Sequence, residues 1–137
     1  MSRCAIAGVG GPCRSLGALA DYAMEEERVD DAIALLRHSL RIHRELGDVL
    51  DTGVDLCRLA AALAAAGDAF TAARLLASFA TVPDEVSRRR FDVDQLNDET
   101  TSRIRAQLSD AAFADACAEG RELTLDQAVD LALDGRD

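Results

Sequence analysis

Two histidines, four cysteines and 25 carboxylates are the side chains of this 137-residue chain that carry the most chemical potential. His38 and His43 stand five positions apart, which is not the i, i+4 spacing that brings two imidazoles to one helix face around zinc. Cys4, Cys13, Cys57 and Cys117 are scattered, with no CxxC pair and no His at metal-ligand spacing. The carboxylates cluster at Glu25-Glu26-Glu27 and Asp30-Asp31. A general acid needs one carboxyl in an apolar pocket. These groups instead straddle an exposed turn, where they suit the positive N-terminal end of the following helix. Ser15 and Ser39 lack a glycine-flanked elbow, and no cysteine has a base nearby in sequence. His43 is expected to be a partly buried side chain with one satisfied nitrogen, and His38 a solvated one. The pattern predicts no enzyme, no metal and no cofactor.

Composition narrows the classes further. All 15 basic residues are Arg, so Schiff-base chemistry and a Walker-type phosphate loop are excluded. Gly8-Val9-Gly10-Gly11 is followed by no Lys and preceded by no strand pattern. The net charge of −10 argues against nucleic acid, whose affinity comes from neutralised phosphates. The one basic run, Arg88-Arg89-Arg90, lies among Asp84, Glu85, Asp92 and Asp94 and reads as a solvated helix end. Neither Cys4 to Gly11 nor Leu59 to Ala66 is long enough for a secretory h-region or a membrane span. A reduced, cytoplasmic protein with no membrane contact is expected. The length fits one domain that buries roughly 68–70% of its unfolded surface.

The elements that must position these residues are helical. Many Ala and no Trp favour closely packed helices over sheets. Residues 1–12 hold three Gly and one Pro and are expected to be a flexible lead-in. From Ser15 to Glu27, Leu16, Leu19, Ala20, Ala23 and Met24 recur at helical spacing. A second helix follows Val29-Asp30 and stops at Gly47. Asp51 to Ala66, the turn and cap Gly67-Asp68, and Ala69 to Val82 repeat the pair, with Ala72, Leu75 and Leu76 aligning on Ala32, Leu35 and Leu36. The period is about 40 residues, two antiparallel helices per unit, as in an α-solenoid. Beyond Pro83 the reading is a short helix over Asp84 to Phe91, a longer one over Asp94 to Leu108, one capped by Ser109 or Asp110 and ended by Gly120, and a last one over Leu125 to Leu133 behind a Thr124/Gln127 capping box.

On these residues the chain resembles tetratricopeptide repeats. Leu56, Leu59, Ala60, Leu63, Gly67, Ala72 and Leu76 fall at that family's signature positions, and Leu16, Leu19, Ala20, Ala23, Ala32 and Leu36 do so in the first unit, with Glu27 in place of the turn Gly. The long period and the phrase Arg44-Glu45-Leu46-Gly47-Asp48 resemble the repeat region of large bacterial LuxR-family and signal-transduction ATPase regulators. The stretch Leu108 to Leu133 is similar to the closing segment of those repeat regions, with Cys117 where a Trp is usual.

The resemblance implies an all-α domain of antiparallel helix hairpins over residues 13–134, with repeats at about 13–47 and 51–83 and capping helices over 84–134. It also implies a protein-interaction, sensor or scaffold role without the ATPase or the DNA reader. In that family the first helix of each unit lines a concave groove. The corresponding positions are Arg14, Gly17, Asp21 and Met24, then Val54, Cys57, Ala61 and Ala64. Two readings of the second set stay open: a groove for a protein or peptide partner, or contact with the C-terminal helices. Leu16, Leu19, Ala23 and Leu40 are expected to leave apolar surface at the N-terminal end, where an upstream repeat, a partner or a second copy would dock. The competing functional reading is a DNA-binding regulator, against which Leu123 to Asp137 carries four Asp and one Arg.

Overall fold

A computed structural model describes residues 12–79 and 94–134, and among them every regular element is a helix. In chain order these are α1 (Pro12–Glu25), α2 (Val29–Leu46), α3 (Val49–Ala66), α4 (Ala69–Phe79), α5 (Asp94–Gln107), α6 (Asp110–Arg121) and α7 (Leu125–Asp134). The expected lead-in and the short helix over Asp84 to Phe91 lie outside the described residues, apart from Pro12. That proline opens α1, where its missing N–H is no loss.

The first four helices form a chain of hairpins. Connections of two or three residues, together with the packing of α1 on α2, α2 on α3 and α3 on α4, make consecutive helices antiparallel neighbours. One turn geometry serves all three joints. At each, a residue with positive φ sends its N–H back to the carbonyl three residues earlier, and the next N–H reaches five residues back. Glu27 and Arg28 donate to Met24 and Ala23, Gly47 and Asp48 to Arg44 and His43, and Gly67 and Asp68 to Ala64 and Leu63. This double bond pattern satisfies the orphan carbonyls of a helix C-terminus. Positions 27, 47 and 67 are spaced by 20 residues, and the first is a glutamate at φ 64. The first turn therefore keeps its shape without the glycine that favours it.

N-terminal ends are capped by short side chains. Asp48 accepts from the Asp51 N–H at 3.1 Å and Asp68 from Thr71 at 3.3 Å. Ser109, rather than Asp110, caps α6 by accepting from Ala112 at 3.1 Å. Thr124 and Gln127 exchange the reciprocal pair of a capping box at 2.9 and 3.1 Å.

α3 is central. Leu56, Cys57, Leu59, Ala60, Ala62, Leu63 and Ala64 are all buried, so the helix is apolar on nearly every side, as a helix surrounded by others must be. It packs against α2, α4, α5 and α7. α6 packs closely against α4. Gly120 explains the approach: a Cβ there would collide with the Arg74 carbonyl and come within 2.7 Å of the Ala77 Cβ. Gly120 does not end α6, as expected from sequence, but sits inside it, selected by contact rather than by turn geometry.

Two further expectations change. Ala23 and Leu40 are 1% and 0% exposed, because α1 and α2 close on each other and cover them. α7 does not follow the next-neighbour rule of a solenoid. It packs on α2 and α3 as well as α4, pinned by Arg37 Nε donating to the Ala132 carbonyl at 2.9 Å and by the Arg44–Asp130 pair at 2.7 Å.

Candidate functional site

Three polar side chains meet where α2 crosses α3. Ser39 and His43, one helical turn apart, share a face of α2, and Asp55 projects from α3 against them; all three are buried. His43 Nδ1 lies 2.5 Å from Asp55 Oδ2, and Ser39 Oγ donates to the same Oδ2 at 3.0 Å. Ser39 Oγ is also 3.3 Å from Nδ1. His43 Nε2 faces the more exposed Asp51 at 3.8 Å. Burial pushes the Asp55 carboxyl above its ordinary value, against the opposing pull of His43, Ser39 and Arg58.

A serine, a histidine and an aspartate in contact invite comparison with an acyl-transfer triad. In a triad the hydroxyl and the acid occupy opposite ring nitrogens, so that the ring relays a proton between them. Here both sit at Nδ1, and Ser39 is completely covered. The arrangement ties two helices together and offers a substrate no approach to the hydroxyl.

The expected groove residues are placed as follows. The side chain of Arg14 lies outside the described residues. Asp21 is exposed and faces Arg58 of α3 across 3.7 Å, while Met24 packs partly buried against the core. Val54 borders a small cluster formed by Cys57 and Phe79. Cys57, Ala61 and Ala64 are buried, and α5 reaches this stretch: Asn97 Nδ2 contacts the Cys57 sulfur at 3.4 Å, and Gln107 Nε2 donates to the Ala64 carbonyl at 2.8 Å. A partner reaching for Cys57 or Ala64 would meet α5 there.

An open recess lies at the α2–α3 turn instead. It encloses about 130 Å3 and is lined by Val49, Thr52, Leu125 and Val129, with Arg44, Gly47 and Asp126 completing its wall. Val49 is 43% exposed, and Leu46, on the same turn, is 70% exposed. Arg44 bridges Asp130 at 2.7 Å and Asp126 at 4.0 Å, and the bond to Asp130 raises its pKa, so it remains charged. Tyr22, on α1, is the other exposed large apolar residue among the described residues, at 63%.

Sequence reasoning pointed to His43 but not to Asp55, which lies across a turn on another helix. The available signal was an acid between Val54 and Leu56 in a run otherwise apolar and buried. The recess had no local signal, because α7 reaches it from nearly 80 residues away in sequence. Among the described residues no group of three or more His, Cys, Asp or Glu is arranged to hold a metal ion, and no helix is long and apolar enough to cross a membrane. No family model, no curated protein and no solved structure matches this chain.

Proposed function

We propose that the chain is a non-catalytic protein-interaction module, a tetratricopeptide-like scaffold or sensor unit akin to the repeat regions of bacterial regulators. The observation that carries this reading is the joining of α1 to α4 by one repeated turn at 20-residue spacing, on a body that leaves Tyr22, Leu46 and Val49 exposed. Repeated hairpins present wide, rigid surfaces of the kind that protein partners use. The buried Ser39–His43–Asp55 cluster serves this role by locking α2 to α3, so that both surfaces are preformed. The partner is a protein or peptide, with self-association through the α1–α2 hairpin as one form of it.

The test is affinity purification from extract of the source cells, with the native chain and two surface variants, Tyr22→Ser and Leu46→Ser/Val49→Ser, as baits. The expected result is a protein recovered in stoichiometric amount with the native chain and lost with one variant. Recovery of none, together with a salt-sensitive and sequence-preferring shift of duplex DNA, would overturn the reading in favour of a DNA-binding regulator.

A further inference from the structure

The recess at the α2–α3 turn has a floor of core residues. Val129 and Thr52 are 1% and 3% exposed, so their positions are set by the packing of α7 on α2 and α3 rather than by solvent. A recess built this way keeps its shape when empty, and binding into it costs little reorganisation. Val49 lines it and is 43% exposed, and Leu46, just before the positive-φ Gly47, is 70% exposed on the same turn. The rim is acidic. Asp126 lines the wall and Asp130 joins it through Arg44, with side chains 83% and 71% exposed, while Asp51, next to Thr52 in sequence, is 45% exposed and faces His43.

We propose, building on the interaction-module reading, that this recess docks a basic amphipathic segment of another protein. One aliphatic side chain of the segment fills the recess, the apolar face covers Leu46 and Val49, and flanking Arg or Lys residues pair with Asp51, Asp126 and Asp130. Charge selects this occupant over a second copy of the chain, since two bodies of formal charge −10 repel at any contact made through an acidic rim. The size of the recess suits one anchor residue with neighbours lying over the rim, the arrangement by which helical segments are held in apolar grooves.

The probe is a synthetic amphipathic peptide of Leu, Ala and Arg with its Leu residues on one helical face, titrated into the isotope-labelled full chain and followed by amide chemical shifts. The expected result is saturable shifts centred on Leu46, Val49, Leu125 and Val129, weakening as salt is added. A scrambled peptide of identical composition should bind at least about tenfold more weakly. Leu46→Ser/Val49→Ser, both at exposed positions, should weaken the ordered peptide by a similar factor while leaving circular dichroism unchanged. Asp126→Asn/Asp130→Asn should reduce the salt dependence. Equal binding of the scrambled peptide, shifts centred elsewhere, or a dimer formed through this face in the absence of peptide would each overturn the proposal. If the shifts centre on Tyr22 instead, the recess fails as a site while the interaction-module reading survives.

Discussion

Asp55 is an acid in a place that water scarcely reaches, and burial holds its carboxyl above the ordinary 3.8. Over the interval between the unfolded and folded values the native state binds more protons than the unfolded chain. The contribution of Asp55 to stability is therefore greatest below 3.8 and declines as pH rises through that interval. Asp55→Asn keeps an acceptor for Ser39 and His43 without the charge. The stability difference between variant and native chain, read by urea unfolding, should move in the variant's favour from pH about 4 upward. Asp55→Ala strands both partners and should cost about 1–3 kcal/mol near neutral pH. Glu27 is the second residue at odds with its surroundings, a glutamate at φ 64 in a position that suits glycine. Glu27→Gly should stabilise the chain by about 0.5–1 kcal/mol in the same assay.

Between elements, the tightest constraint is the crossing of α4 and α6. Gly120→Ala places a methyl against the Arg74 backbone, which cannot rotate away, so α6 must move as a body; a loss of about 3 kcal/mol is expected by denaturant titration. Gly53→Ala is the control. Its Cβ would come 2.9 Å from the edge of the Phe79 ring, a side chain able to shift, and about 1 kcal/mol is expected. The contrast shows what the sequence makes legible. Caps and turns at Gly47, Gly67, Asp68, Ser109 and the Thr124/Gln127 box are set by residues within a few positions of each other, and local chemistry suffices to find them. Glu27 hides its turn because nothing intrinsic to glutamate favours that conformation; the packing of α1 on α2 imposes it. Gly120 and Asp55 likewise depend on partners tens of residues or a whole turn away; Gly120 looks from sequence like a helix stop, and nothing beside Asp55 in sequence points to His43.

At the scale of the molecule, stability is unevenly distributed. α3 is enclosed by four other helices, whereas α1 rests chiefly on α2. Amide hydrogen exchange should find the slowest protons in α3 and the fastest helical protons in α1, since opening α1 uncovers one interface and opening α3 uncovers several. A reversed order, with α1 the more protected, would show that α1 has cover beyond α2. The placement of α7 has a separate consequence. Its anchors on one side are Arg37 and Arg44 of α2, and on the other it meets α4, so it works as a gauge that spans one fixed number of helices. A second copy of the hairpin inserted at Gly47 would pull those anchors apart and leave α7 too short to touch both. Inserted ahead of Val29, the same hairpin would leave the gauge undisturbed. Lengthening is thus expected to be tolerated between α1 and α2 and not at Gly47, because α7 fixes the number of helices between its contacts on α2 and α4.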